Sequence, residues 1–222
     1  MKLEDLIITK MLGKGNSSKC FTIQNGDVFK KFNNPIDVVQ IEMFKYLSNY
    51  ENESFLFPFE FVYDDKKFYG YITKRFKGET LEKIFPSCNL EKLSTHSIKL
   101  EKNISYISEG KIVMHDFHSE NIMYDKKLLQ VIDPDEYGIR DFYSFKEIKD
   151  INFKYYRTMI GKLFISNIPL SKNSKYIIDR VNKYRFCDIK ASEMILKIKE
   201  DVEKYYKEKI DTIEDFNTII RK

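Results

Sequence analysis

The sequence is most informative in two neighbouring segments, Val113-Met114-His115-Asp116-Phe117-His118-Ser119-Glu120-Asn121 and Val131-Ile132-Asp133-Pro134-Asp135. Two short apolar runs flank a tight cluster of carboxylates and one amide. Carboxylate and amide oxygens are the ligands that Mg²⁺ prefers, and the ion also keeps water and phosphate in its shell. We therefore expect Asn121 and Asp133 to hold a dication, which leaves Asp116 free to orient a hydroxyl. The sequence leaves open whether Asp135 joins Asp133 at the metal.

A glycine-containing segment near the amino terminus is a second candidate for binding chemistry. It reads Gly13-Lys14-Gly15-Asn16-Ser17-Ser18 and lies between two predicted strands. Backbone N–H groups at glycines are not shielded by side chains, so they can approach phosphate oxygens. A tight hairpin turn without a ligand explains the same residues, and the segment alone does not decide between the two.

Lys30 is a third candidate for binding chemistry, on a strand next to the glycine segment. It lies on the returning strand of the next predicted hairpin and shares one face of that strand with Val28 and Phe32, whereas Lys31 points the other way. A lysine on an apolar face is costly unless an anion meets its ammonium group. Glu42, on the next predicted helix, is a possible partner. The alternative is that both are ordinary surface charges.

The apolar pattern predicts an α+β protein whose character changes near Gly78. Residues 1–77 indicate mostly β structure with one main helix, which Asp37 can cap, and Asn25-Gly26 predicts a hairpin between two strands. Residues 78–222 indicate mostly helices. Strands are predicted at residues 20–23, 28–32, 59–63 and 68–73, and helices at residues 90–109, 145–166, 174–184, 192–206 and 212–220. Ser192 and Thr212 are the predicted N-caps of the last two helices.

In this order and spacing, the segments resemble the protein kinase-like superfamily, which includes eukaryotic-type protein kinases, RIO kinases and aminoglycoside or choline phosphotransferases. Residues 115–121 are similar to the catalytic loop, and Asp133 has the position of the metal-binding aspartate of the DFG motif. Residues 13–18 resemble the glycine-rich loop, Lys30 the lysine of the third strand and Glu42 the glutamate of helix C. The resemblance implies a bilobal fold, with an N-terminal lobe at residues 1–77 and a C-terminal lobe at residues 78–222.

The resemblance also implies an activity, in-line phosphoryl transfer from Mg·ATP to a hydroxyl group. Asp116 would position the acceptor hydroxyl and take its proton, and Lys30 and Asn121 would be the other catalytic residues. Metal ligands would come from Asn121, Asp133 and Asp135. The implied nucleotide-binding residues are Gly13, Gly15, Ser17, Ser18, Cys20, Val28, Lys30, Glu42, Thr73, Lys74 and Phe76. Of these, Thr73, Lys74 and Phe76 belong to the hinge that would meet adenine.

Several residues depart from the family pattern, and some bear on the acceptor. Ser18 replaces the third glycine, Met114-His115 replaces the His-Arg pair before the catalytic aspartate, and Asp133-Pro134-Asp135 replaces Asp-Phe-Gly. His118 and the Asp-Pro-Asp sequence favour a small-molecule phosphotransferase. The C-terminal part is too short for the helical insertions typical of those enzymes, so we favour a serine or threonine of a protein as the acceptor.

Two other interpretations of these residues stay open. One is a catalytically inactive, nucleotide-binding pseudokinase scaffold, although the lysine, both aspartates and the asparagine of the family are present. The other is a transition-metal site built from His115, Asp116, His118, Asp133 and Asp135, which leaves residues 13–30 without a role. Because Pro134 has a fixed φ and lacks an N–H, we also expect its loop to be stiffer than a DFG loop.

Composition and charge exclude other classes of function. A net charge of +4, from 38 Lys and Arg against 34 Asp and Glu, is too small to indicate a nucleic-acid or membrane partner without a local cluster. The three widely spaced cysteines indicate free thiols in a reducing compartment rather than a disulfide framework or zinc site. Since the sequence has neither a signal peptide nor an apolar run of about 20 residues, we expect a soluble cytoplasmic protein.

Overall fold

The chain, described at residues 1–115 and 117–221 by a computed structural model, has an N-terminal antiparallel sheet and a mostly helical C-terminal part. This confirms the predicted α+β class. The first part contains β1 (Ile8–Lys14), β2 (Ser18–Ile23), β3 (Val28–Phe32), α1 (Val38–Leu47), β4 (Glu60–Asp64) and β5 (Lys67–Thr73). The second part contains β6 (Glu79–Thr80), α2 (Leu81–Ile84), α3 (Leu90–Glu109), β7 (Ile112–Met114), β8 (Ile122–Tyr124), β9 (Leu129–Val131), β10 (Tyr137–Ile139), α4 (Phe145–Asn167), α5 (Lys175–Arg185), α6 (Ala191–Tyr206) and α7 (Ile213–Arg221).

Tight turns connect neighbouring strands of the N-terminal sheet, whose order is β1-β2-β3-β5-β4. The hairpin predicted at Asn25-Gly26 joins β2 to β3, and Gly26 has the positive φ of 88° that favours glycine. A second turn joins β4 to β5 through Asp65 and Lys66, which both have positive φ. Local turn chemistry therefore fixes the register of these two strand pairs.

Lys30 lies on the central strand of this sheet. It pairs with Cys20 of β2 on one side and with Tyr71 of β5 on the other. Gly70 allows β3 and β5 to approach closely, because a Cβ atom at that position would collide with the carbonyl oxygen of Lys30. The sequence thus constrains the backbone on both sides of Lys30.

Helix α1 packs on the sheet through an aromatic cluster. The ring of Phe44 lies 5.0 Å from the ring of Tyr71 and 5.8 Å from that of Phe32, measured between centroids. Each such aromatic pair contributes about 0.5–1.5 kcal/mol beyond the burial of its surface. The cluster belongs to an apolar core that continues into the C-terminal helices, so the two parts of the chain pack as one structure.

The helical part is built around α3, which begins and ends at the predicted residues. Leu100 and Ile104 of α3, Ile160 of α4, and Ile195 and Ile198 of α6 are fully buried. Burying one such side chain contributes about 1.5–3 kcal/mol. Among the described residues, no helix is both long and apolar enough to span a bilayer.

Two of the three predicted helix caps are confirmed. The Asp37 carboxylate accepts a hydrogen bond from the Gln40 N–H at 2.7 Å, and Thr212 Oγ1 accepts one from the Asp215 N–H at 3.3 Å. The prediction for Ser192 was wrong, because its N–H and hydroxyl both donate to the buried carboxylate of Glu101, at 2.9 and 2.7 Å. A carboxylate from a neighbouring helix thus provides the cap there.

Four short strands hold the polar segments identified in the sequence. Strands β8 and β9 form a hairpin, and β7 pairs with β10. The segment that precedes β4 is tied to β9, since the Leu56 N–H donates to the Val131 carbonyl at 2.9 Å and the Val131 N–H donates to the Ser54 carbonyl at 2.6 Å. These bonds place the loop after β9 beside the N-terminal sheet, where its residues reach the central strand β3.

Candidate functional site

A cleft of about 1050 Å³ lies where the N-terminal sheet meets the helical part. Val28 and Lys30 of β3 line one side, and Met123, Ile132 and Asp133 line the other. Small-molecule sites are typically clefts of up to about 1000 Å³ with mostly apolar walls and a few polar groups. The cleft has both properties.

Lys30 is the buried charge of this cleft. Its side chain is 5% exposed, and its ammonium group donates to the carboxylates of Asp133 and Asp135, the latter at 2.7 Å. Burial alone would lower the pKa of Lys30, but the two carboxylates outweigh burial and raise it. The prediction that an anion meets this ammonium is confirmed, and the anions come from the segment after β9.

Glu42 is not the partner of Lys30, contrary to the expectation from the sequence. Its side chain is 61% exposed and pairs with Lys45 at 2.7 Å on the outer face of α1. The physical reason is the phase of the helix, because Met43, Phe44 and Leu47 turn toward the core. One residue along a helix rotates the side chain by about 100°, which takes Glu42 away from the sheet.

Asp135 takes the place expected for Glu42. It accepts from Lys30 at 2.7 Å and from the Tyr71 hydroxyl at 3.3 Å, and its side chain is 15% exposed. Burial, and to a smaller degree the neighbouring Asp133, raises its pKa to about 6 despite the attraction of Lys30. Helix α1 still reaches this group, through the Gln40 side chain, which donates to the Asp135 carbonyl at 2.9 Å.

Asp133 differs from Asp135 in exposure and in backbone conformation. Its side chain is 38% exposed and lines the cleft. Its φ of 60° lies in the left-handed region, which is uncommon for a residue other than glycine and is often found at functional sites. The Ile132 N–H donates to the Asn121 carbonyl at 2.8 Å, so Asn121 is held beside the residue that precedes Asp133.

The donor set of Asn121 and Asp133 fits a hard dication such as Mg²⁺. Both residues offer oxygen ligands, and the two carboxylates around Lys30 leave one negative charge uncompensated. Asp133 lines the cleft, whereas neither Asn121 nor Asp135 does. Asp135 fits less well as a ligand because both of its carboxylate oxygens already accept hydrogen bonds, from Lys30 and from Tyr71. In the described part of the chain, no group of three His, Cys, Asp or Glu side chains could hold a metal ion.

Asp116, the expected catalytic base, lies outside the described residues. Its neighbours are fixed by the helical part: the Met114 N–H donates to Asn152 Oδ1 at 3.0 Å, and Phe117 packs edge-on against Tyr156. His115 Nε2 lies 3.0 Å from an Nη2 of Arg140. Partial burial and the nearby Arg140 lower the pKa of His115, which favours the neutral imidazole.

The glycine segment comprises the end of β1, the turn at residues 15–17 and the first residue of β2. Gly13 lines the cleft, whereas Gly15, Ser17 and Ser18 do not. The Gly15 N–H, which could have faced a phosphate, donates to the Ser18 carbonyl at 2.9 Å. Asn33 holds the turn from the side, since its N–H donates to the Ser17 carbonyl at 2.8 Å. In this conformation, therefore, only part of the predicted phosphate-binding segment faces the cleft.

The other predicted nucleotide-binding residues mostly line the cleft. They are Cys20, Val28, Thr73, Lys74 and Phe76. The Thr73 hydroxyl donates to the Leu56 carbonyl at 2.9 Å, and the Lys74 ammonium contacts an Asp27 carboxylate oxygen at 3.2 Å. Burial raises the pKa of the Cys20 thiol, which favours a neutral group in the apolar wall.

The sequence analysis missed several apolar residues of the cleft. Leu12, Leu56, Met123 and Ile132 all line it. Their positions carried a signal, because each lies within two residues of a predicted site residue: Leu12 precedes Gly13, Ile132 precedes Asp133, and Met123 follows Asn121. Leu56 lies in a connecting segment, where no pattern of this kind identifies it.

No protein-family model matches the chain, and no curated protein matches it significantly. The functional interpretation depends on the residues of the cleft and their contacts.

Proposed function

We propose that this protein is a phosphotransferase of the protein kinase-like superfamily. In this proposal it transfers the γ-phosphoryl group of Mg·ATP to a hydroxyl group, preferably a serine or threonine of a protein. The observation that carries the proposal is the contact of Lys30 with Asp133 across the cleft. A buried lysine on a central strand meets the very aspartate that the motif spacing assigns to the metal.

The distribution of elements supports the bilobal fold that the proposal requires. Five antiparallel strands and α1 lie on one side of the cleft, and α3 to α7 belong to the other part of the chain. The proposed catalytic-loop segment follows β7 in the chain, and Asp133 follows β9 and lines the cleft. The order of the segments along the sequence agrees with the same assignment.

The walls of the cleft suit the two halves of a nucleotide. Val28, Met123 and Ile132 offer apolar surface for a planar base, and Thr73 to Phe76, the hinge of the resemblance, line the same cleft. Lys30 would contact the α- and β-phosphates, where a buried cation is worth more than an exposed one. Mg²⁺ held by Asn121 and Asp133 would neutralise charge on the phosphates, and Asp116 would orient the acceptor hydroxyl.

Nucleotide binding is the first test. We expect calorimetry to detect binding of a non-hydrolysable ATP analogue only when Mg²⁺ is present, and we expect Lys30→Met to abolish it. Lys45→Met, an exposed lysine on α1, is the matched control and should bind as the wild type does. No binding by the wild-type protein would overturn the proposal.

Transfer of phosphate is the second test. The protein would be incubated with γ-labelled ATP, Mg²⁺ and a panel of proteins, aminoglycosides and choline, beside an Asp116→Ala control. Labelled protein supports the preferred acceptor, whereas labelled aminoglycoside or choline alone replaces it with a small molecule. Equal signals from the wild type and Asp116→Ala, despite nucleotide binding, would mean a pseudokinase scaffold and overturn the activity.

A further inference from the structure

We propose that Asp135, held from α1 by Gln40, positions Lys30 for its ligand, the role that the family resemblance gives to Glu42. The proposal rests on the proposed function for the identity of that ligand, which is the phosphate chain of the nucleotide. The contact between Lys30 and Asp135 is independent of the proposed function, because it joins a residue of β3 to a residue of the loop after β9 in the structure itself.

The contacts of Asp135 are those of a positioning residue. One carboxylate oxygen accepts from Lys30 at 2.7 Å, and the other accepts from the Tyr71 hydroxyl at 3.3 Å. Tyr71 is 1% exposed and stands opposite Lys30 in the sheet register, so its hydroxyl fixes the carboxylate from the same side. Hydrogen bonds to both oxygens restrict the rotation of the carboxylate and thereby the direction of the Lys30 side chain.

Asp133 and Asp135 differ in exposure, which suits Asp133 to binding a cation and Asp135 to positioning Lys30. Asp133 is 38% exposed and lines the cleft, whereas Asp135 is 15% exposed and lines the groove beside α1. A dication in the cleft can therefore reach Asp133 without displacing Asp135. When Asp133 binds the ion, Lys30 retains one buried carboxylate and stays charged and oriented.

Gln40 connects this contact to α1. Its side-chain amide donates to the Asp135 carbonyl at 2.9 Å, and its own N–H is bound by the Asp37 cap at 2.7 Å. Gln40 is therefore fixed at the first turn of the helix, and a displacement of α1 would move Asp135 with it. Glu42, which is 61% exposed and bound to Lys45, provides no such connection.

The first experiment compares Asp135→Asn with Glu42→Gln, which both replace a carboxylate by an amide of the same shape. For Asp135→Asn we expect kcat/KM for Mg·ATP to fall by about 10- to 100-fold, the range typical of residues that orient a functional group. The loss should lie mainly in kcat, and Asp135→Glu should recover part of it. Glu42→Gln should stay within about twofold of the wild type. Equal losses in the two variants would overturn the proposal.

The second experiment tests the contact without using activity. Urea unfolding of Lys30→Met, Asp135→Asn and the double variant forms a double-mutant cycle, with Lys30→Met and Glu42→Gln as the parallel cycle. We expect coupling in the first cycle and none in the second. Absence of coupling between Lys30 and Asp135 would overturn the proposal even if the protein binds ATP. A wild-type protein without nucleotide binding would instead contradict the proposed function and leave the coupling measurable.

A milder variant covers the case in which Asp135→Asn does not fold. Gln40→Leu removes only the side-chain donor to the Asp135 carbonyl. We expect it to lower kcat for phosphate transfer by about threefold to tenfold, less than a variant of Asp135 itself does. Gln130→Leu removes another side-chain amide that donates to a backbone carbonyl, that of Glu53, and is the matched control. An unchanged kcat in Gln40→Leu would overturn the role of α1.

Discussion

The side chain of Asn152 accepts a hydrogen bond from the Met114 N–H at 3.0 Å, within the buried contact between α4 and β7. Its amide group also donates to the Ile112 carbonyl at 2.8 Å and to Ser108 Oγ at 3.0 Å. One side chain from α4 thus fixes the strand that ends directly before His115. Neither Asn152 nor Met114 lines the cleft.

Replacing this residue should destabilise the fold. Asn152→Leu removes three hydrogen bonds and leaves buried polar groups without partners, so we expect a loss of about 2–4 kcal/mol in the free energy of unfolding. Ser108→Ala removes one of the three bonds and should cost only about 1 kcal/mol. Urea unfolding followed by circular dichroism measures both. Equal losses in the two variants would contradict the central position given to Asn152.

Asp133 should govern the effect of Mg²⁺ on ligand binding. A ligand at 100 times its dissociation constant stabilises the folded state by about 2.7 kcal/mol. We expect Mg·ATP to raise the melting temperature of the wild type and Asp133→Asn to lose this response, because the variant lacks the carboxylate that meets Lys30 and lines the cleft. Asp141→Asn, at an exposed position after β10, is the control and should respond as the wild type does. An undiminished response in Asp133→Asn would exclude Asp133 as the ligand of the cation.

Some features of the fold and of the candidate site could be predicted from the sequence, and others could not. The hairpin at Asn25-Gly26 and helix α3 were predictable because turn chemistry and helical periodicity are local. The contact of Lys30 with Asp133 joins residues 103 positions apart, and the sequence instead suggested Glu42 as the partner of Lys30. The contact of Asp135, in place of Glu42, with Lys30 was not predictable, because it depends on the rotational phase of α1 when packed on the sheet. That phase is set by tertiary contacts and not by the local pattern.

Gly70 should be needed both for the fold and for the position of Lys30. In Gly70→Ala, the new Cβ atom would collide with the Lys30 carbonyl oxygen, which is backbone and cannot rotate away. We expect a loss of about 1–3 kcal/mol in the free energy of unfolding, as is typical of overpacking, together with weaker nucleotide binding. Gly13→Ala is the matched control for the fold, since a Cβ atom there meets nothing within 4 Å. Unfolding in urea separates the two variants, and equal stabilities would contradict the close approach of β3 and β5.

Glu101 should make the stability of the helical part depend on pH. Its carboxylate is buried on α3, where burial raises its pKa above the usual 4.5, and the hydrogen bonds from Ser192 offset only part of that increase. The folded protein therefore binds this proton more tightly than the unfolded chain does. Its stability contribution is largest at low pH and falls as the pH rises through the pKa of the folded state.

The variant Glu101→Gln cannot ionise and isolates this effect. We expect the stability of the wild type relative to Glu101→Gln to decrease as the pH rises from about 4 to about 7, because only the wild type must keep a buried carboxylate charged. Urea unfolding of both proteins across this range measures the difference, and Glu109→Gln, at an exposed position on the same helix, controls for the loss of one carboxylate. If the stability of the wild type relative to Glu101→Gln increased with pH instead, the hydrogen bonds from Ser192 would outweigh the effect of burial on the pKa of Glu101. In that case Glu101 would act as a charged cap of α6 and not as a buried acid.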